Sequence, residues 1–283
     1  MRPANIVTAI SDIFAGAVIA GYASGVSELS SLPYLIISTI GLYGGGVVFN
    51  DVFDADLDRV ERPERPIPGG LISEKEGALL GASLLIVGVV AASGLSIYPS
   101  GAIALFIAIA ALVYDKWGKH HSFFGPLNMG LCRGLNLLLG ISVVPEALFQ
   151  FGYLALVPIL YIAAITMISR GEVHGGKSKT MLLAAFLYLI VLASILYAAI
   201  VHGYSLYTIL FLAVFSFLIY PPLVQAFRDP IGKNIGKAVK AGVLALIVMN
   251  ASWATAFGGL YPALAIILLL PASIFLARLF AVT

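Results

Sequence analysis

Ten apolar stretches of membrane-crossing length fill most of the chain, near residues 4–23, 33–52, 76–97, 99–115, 126–144, 151–169, 180–202, 204–222, 239–258 and 261–281. A helix needs about 17–25 such residues to cross a bilayer, and only a helix or a closed barrel satisfies its backbone there. The pattern predicts an all-α, polytopic transmembrane bundle of nine to ten helices. Residues 1–283 read as one domain. Of these residues 60% are hydrophobic and 11% charged, whereas soluble domains carry about 25% charged residues. The opening MRPANIVTAISDIF lacks a signal-peptide cleavage pattern and is expected to form the first spanning helix. The single cysteine, Cys132, excludes an intramolecular disulfide and a cysteine metal cluster. A net charge of +2 gives no reason to expect a nucleic-acid partner.

The charges are distributed by side. Loops after the second, fourth, sixth and eighth stretches carry Arg59, Arg62, Arg65 and Lys75; Lys116 and Lys119; Arg170, Lys177 and Lys179; and Arg228, Lys233, Lys237 and Lys240. Loops after the odd-numbered stretches carry no Lys or Arg. The positive-inside rule then places the even loops, and Arg2, in the cytoplasm. Arg278 suits ten crossings with both ends inside. Glycines recur within the spans, Gly44, Gly45 and Gly46 in the second and Gly130, Gly134 and Gly140 in the fifth, as expected for close helix packing.

One stretch breaks the apolar pattern: residues 50–70, NDVFDADLDRVERPERPIPGG. At about 100° per residue, Asn50, Asp51, Asp54 and Asp58 fall within an arc of roughly 100°, and Asp56 points away. Carboxylates this close raise one another's pKa unless a cation sits between them. Hard oxygen ligands suit Mg2+, which takes one or two protein carboxylates and completes its shell with water and phosphate. Arg62 and Arg65 supply bidentate donors for phosphate oxygens, and Pro63, Pro66 and Pro68 stiffen the segment. A solvated, salt-bridged loop is the alternative, and Arg59, Glu61 and Glu64 suit it.

This stretch closely resembles the first signature of the UbiA-like intramembrane prenyltransferases, NDxxDxxxD followed by RPxRPIPxG. Arg2, Pro3 and Asn5 resemble the family's N-terminal RPxN. The resemblance implies a prenyl diphosphate donor, Mg2+ and transfer of the prenyl group to an acceptor, with Asn50, Asp51, Asp54 and Asp58 holding metal and diphosphate and Asp54 and Asp58 central to catalysis. Tyr114, Lys116 and Lys119 resemble the family's tyrosine–lysine segment, or serve as ordinary membrane anchors. The family's second aspartate motif, DxxxD, is degenerate here. The loop reads Ser169, Arg170, Gly171, Glu172, Val173, His174, Gly175, Gly176, Lys177, with Glu172 its only carboxylate. Glu172 and His174 are left as a candidate ligand or base, His174 equally as a surface histidine, and Arg170 and Lys177 as replacements for metal charge at the diphosphate. SRGEVHGG with MGLCRGLNLLLG is similar to the bacterial EboC-type subgroup.

Within the spans, Arg133 and Asn136 are expected to face the bundle interior and substrate, since a charge in a membrane is expensive; Arg133 near a helix end could instead snorkel. Asp12 either touches the acceptor or pairs with a neighbour. The expected protein is an integral, multi-pass enzyme of the bacterial inner membrane, with a cytoplasm-facing polar mouth, transferring a prenyl group to a small lipophilic acceptor, aromatic or alcohol. A non-catalytic lipid-diphosphate-binding or transport component is the alternative. Phosphatidyl-alcohol transfer ranks low because its DGxxAR pattern is absent.

Overall fold

A computed structural model describes residues 3–24, 29–172 and 175–280, all of their regular structure helical. In order these are α1 (Pro3–Ser24), α2 (Leu32–Phe53), α3 (Ala55–Glu61), α4 (Glu74–Leu95), α5 (Ala102–Lys116), α6 (Phe124–Ile141), α7 (Pro145–Phe151), α8 (Leu156–Ser169), α9 (Ser178–His202), α10 (Ser205–Arg228), α11 (Gly232–Gly258), α12 (Leu260–Ile267) and α13 (Leu269–Leu279). Nine segments among the described residues are long and apolar enough to cross a membrane. The 18-residue α6 is a tenth of crossing length and is left out of the nine because Asn128, Arg133 and Asn136 lower its hydropathy. Nine to ten helices therefore describes the bundle.

The outside of the bundle is apolar. Leu79, Ile86 and Val90 of α4 are 62–70% exposed, and their spacing lays them on one face. Such a surface is stable only against lipid. The inside is organised on α11, from Ala245 to Phe257 buried at every position, with Asn250, Ser252 and Thr255 among them. A larger core surrounds α11 with α1, α6 and α8–α10. A smaller one joins α2, α4 and α5 with Ile13 of α1 and Leu139 of α6. The polar site lies at the seam between them.

Boundaries differ from the sequence expectation where polar residues hide helix. The ninth stretch begins at Gly232 rather than 239. Lys233, Lys237 and Lys240 follow helical spacing and sit on one face, leaving Ile235, Ala238 and Val239 buried on the other. The sixth begins at Pro145 as the short α7, continued into α8 by a 3-10 turn.

Glycine sets the closest crossings. An added Cβ on Gly16 of α1 would sit 2.5 Å from the Leu137 carbonyl oxygen and 2.7 Å from Gly140 Cα on α6, whereas one on Gly236 meets nothing within 4 Å. Gly16→Leu is expected to lower stability by about 3 kcal/mol, the upper end of overpacking, because backbone rather than flexible side chain must move. Gly236→Leu should leave it unchanged. Thermal unfolding of both variants in detergent distinguishes them.

Candidate functional site

Asp54 is the joint on which the acidic stretch turns. It ends α2 and starts α3 with φ −92° and ψ 1°. The backbone bonds Asp54 N–H to Asn50 O, 3.0 Å, and Asp58 N–H to Asp54 O, 2.8 Å, carry the helical repeat through it. Asn50, Asp51, Asp54 and Asp58 thus stay near helical register past the end of α2. The proline-rich segment folds back, so that Arg65 Nη1 donates to Asp58 Oδ2 at 2.6 Å and Asp51 Oδ1 at 3.3 Å. Lys119 donates to Asp54. Asn50 Nδ2 donates to Asp115 Oδ1 at 3.1 Å. Asp56 points away with its side chain 93% exposed, paired with Arg59, which also reaches Glu74.

Among the described residues no three His, Cys, Asp or Glu side chains form a ready metal cage. Basic side chains stand between the carboxylates instead, as the repulsion among them requires. The donor set nonetheless fits an ion held between protein and phosphate, since Mg2+ commonly takes only one or two protein carboxylates. Asp51, Asp54 and Asp58 are hard oxygen donors, each already in contact with a cationic side chain, Arg65 or Lys119.

Beneath the ladder lies a cavity of about 410 Å³, lined by residues of α1, α2, α5, α6, α8 and α11. Asn50, Arg62, Tyr114, Asp115, Ser169 and Glu172 line it near the helix ends. Thr8, Thr39, Arg133 and Asn136 line it deeper. Thr39 is three turns, about 16 Å, down α2 from Asn50. Between the two levels the wall includes Leu42, Ile107, Ile162, Ile165, Val243 and Leu246.

The deep end is a connected polar network. Asp12 is 1% exposed. Its Oδ2 lies 3.2 Å from Arg133 Nε and accepts from Asn136 Nδ2 at 2.9 Å; its Oδ1 accepts from Asn250 Nδ2 at 2.7 Å. Arg133 Nη2 donates to Thr8 Oγ1, and Thr39 Oγ1 donates to Asn136 Oδ1 at 2.8 Å. The network bolts α1, α2, α6 and α11 together. Arg133 is 7% exposed, so it faces the interior and does not snorkel.

The other candidates scatter. Glu172 lines the cavity. Arg170 does not. Its guanidinium donates to the Lys119 and His121 carbonyls and ties the α5–α6 loop to the end of α8. Lys116 lies over the Trp117 ring, 4.8 Å from its centre, and Lys177 is exposed just before α9; neither lines the cavity. Arg2 and His174 fall outside the described residues. If the diphosphate donor implied by the sequence resemblance binds at the ladder, Arg170→Ala acts through the loop that carries Lys119 and raises the donor KM by about tenfold with little effect on kcat, as loss of uniform binding does. Steady-state kinetics in donor concentration checks this.

Two residues escaped the sequence reading. Asp115, 5% exposed, meets Asn50 at the mouth. Its signal was a carboxylate at a helix end level with the acidic ladder, obscured by the flanking lysines. Asn250 closes the buried network from α11, and its signal was an amide inside a span.

Known proteins resemble this chain in sequence and fold. The model of the UbiA prenyltransferase family matches residues 12–234. The digeranylgeranylglyceryl phosphate synthase of Methanosarcina mazei is 31% identical over 144 residues, 51% of this chain and 47% of that protein. That of Sulfurisphaera tokodaii is 31% identical over 169 residues, 59% of this chain and 58% of that one. The aligned stretch thus spans about half the length of these curated relatives. Two solved structures share the fold. A UbiA homologue from Aeropyrum pernix K1 superposes with TM-score 0.73 at 16% identity, covering 89% of this chain and 98% of that one. A digeranylgeranylglyceryl phosphate synthase structure gives 0.67 at 21% identity, with 90% and 94% covered.

Proposed function

The chain belongs to the UbiA prenyltransferase family, and on that footing we propose that it catalyses Mg2+-dependent transfer of a prenyl group from a prenyl diphosphate to a small lipophilic acceptor inside the membrane. The observation that carries this reading is the placement of the carboxylate ladder at the mouth of a cavity enclosed by six helices. The donor diphosphate sits at the ladder and the prenyl chain runs along the apolar wall.

Each residue then has a task. Asn50, Asp51, Asp54 and Asp58 would hold Mg2+, which when bound neutralises charge on the leaving diphosphate. Arg62, at the cavity mouth, and Arg65 and Lys119, paired with the carboxylates, would offer donors to the phosphate oxygens. Guanidinium donors aimed at the departing oxygens stabilise charge as the allylic C1–O bond lengthens. Asp115 fixes the Asn50 amide through their hydrogen bond. The apolar wall keeps water from the allylic cation, so the acceptor captures it. Glu172 stands on the same cavity as a further carboxylate for metal or acceptor.

The protein is integral to the membrane, and the clustering of basic loops at the ladder's end supports a mouth open to the cytoplasm, in a bacterial inner membrane. Incubating purified protein with Mg2+ and prenyl diphosphates of several lengths, with and without acceptors, tests the reading. Pyrophosphate release that requires Mg2+, with a prenylated product, is expected. Tight donor binding without release would favour a lipid-diphosphate carrier.

A further inference from the structure

We infer that the buried polar network under the cavity is a ruler for the donor: it ends the tail channel at three prenyl units, so the protein takes farnesyl-length donors and refuses longer ones. The inference rests on the donor reading above and specifies the first substrate of that site.

The carrying observation is that the cavity is blind at its lower end. Thr8, Thr39, Leu42, Ile107, Ile162 and Leu246 line that end and are each at most 8% exposed. Residues so covered open no side passage to lipid. Below them the floor is polar and bonded to itself. Thr39 donates to Asn136, Asn136 and Asn250 donate to Asp12, and Arg133 faces Asp12. The Asn136 amide also donates to the Ala9 carbonyl at 2.9 Å. These bonds hold α1, α2, α6 and α11 together at one level. A tail that pushed between them would separate a buried ion pair and leave its members against hydrocarbon, which costs far more than a few buried carbons return.

The depth then sets the length. Asn50 is the lowest member of the ladder, so the donor's C1 lies near its level. From there to Thr39 the channel runs about 16 Å along α2. An extended chain advances about 3.5 Å per three bonds, so a prenyl unit, with four bonds in its main chain, adds about 4.7 Å. Three units reach about 14 Å and stop above the floor; four reach about 19 Å and run into it. Folding the fourth unit back does not rescue it, because the same cavity of about 410 Å³ must also admit the acceptor to C1. Thr39 and Asn136, which line the cavity from the floor, are the residues that meet the tail's end, and Asp12 and Asn250 act through Asn136 as positioning residues.

The test titrates the wild-type protein in lipid nanodiscs with unreactive thio-analogues of geranyl, farnesyl and geranylgeranyl diphosphate in the presence of Mg2+, with uptake by protein-free nanodiscs subtracted. The farnesyl analogue is expected to bind at least about tenfold more tightly than the geranylgeranyl one, since a hydrophobic pocket discriminates even one methylene by about 10–200-fold. It should also bind more tightly than the geranyl analogue, which buries one unit less. A smaller preference over geranylgeranyl, the reverse order, or tighter binding of geranyl overturns the ruler and leaves the donor reading standing. Binding of none of the three removes the donor reading, and the ruler with it. Ala9→Leu raises the floor, because Ala9 lines the cavity beside Asn136 and is 1% exposed. In that variant the farnesyl analogue should lose about tenfold in affinity while the geranyl analogue keeps its own, a change of order that general damage to the fold would not produce. An equal loss for both, or no loss, contradicts the inference. Should Ala9→Leu not fold, the wild-type series decides alone.

Discussion

Asp54→Ala and Asp58→Ala each reduce prenyl transfer at least about 10²-fold, the scale on which removing one group that stabilises transition-state charge acts. The two losses differ in origin. Asp54 pairs with Lys119 and its side chain keeps 17% of its exposure, so its removal costs some stability but less than that of Asp58, which is more deeply buried. Asp58 is 4% exposed and holds Arg65 at 2.6 Å. Its removal also takes a charged hydrogen bond worth about 1.5–3 kcal/mol, moderated because Arg65 keeps Asp51 at 3.3 Å. Asp58→Ala therefore unfolds at lower temperature than Asp54→Ala while both lose transfer. Asp56→Ala is the control. Its side chain is 93% exposed, and both activity and unfolding should match wild type. Transfer rates and detergent unfolding curves for the three variants check the set, and full activity in Asp54→Ala would remove the ladder from the chemistry.

Asp12→Leu has the largest expected effect on stability. It strands the Arg133 guanidinium inside the bundle, and breaking a buried pair by removing one partner costs about 3–5 kcal/mol. Asn136 and Asn250 lose their common acceptor as well, so α1 loosens from α6 and α11 together. Arg133→Leu strands Asp12 and is expected to cost a similar amount. Replacing both at once should cost clearly less than the two single changes added, because the residues are in contact and their effects couple. Unfolding free energies of the two singles and the double form the cycle. Additive losses would mean that the pair contributes nothing as a pair.

The bundle was readable because apolar length alone nearly determines it. The acidic ladder was readable because helical register survives the joint at Asp54, which the 3–4-residue spacing of the carboxylates anticipates. Its partners were less so. Arg65 reaches Asp51 and Asp58 only because a proline-rich turn folds it back, and Lys119 comes to Asp54 from another helix pair, 65 residues away. Sequence spacing carries no information about such meetings. Asp12 and Arg133 each stood out as charges in spans, but their pairing depends on the Gly16–Gly140 crossing of α1 and α6. Arg170 looked like a phosphate ligand beside a degenerate motif. Its bonds to two backbone carbonyls depend on how a loop packs, which residue type does not reveal.

The central claim is that the carboxylate ladder holds the donor diphosphate through Mg2+ at the mouth of the cavity. Titrating purified protein with unreactive thio-analogues of prenyl diphosphates of several chain lengths, with Mg2+ and with a chelator, tests it for wild type and Asp54→Ala in parallel. Wild type should bind at least about tenfold more tightly with Mg2+, and Asp54→Ala should lose that difference. Equal affinity with and without Mg2+, or the same Mg2+ dependence in both proteins, would contradict it.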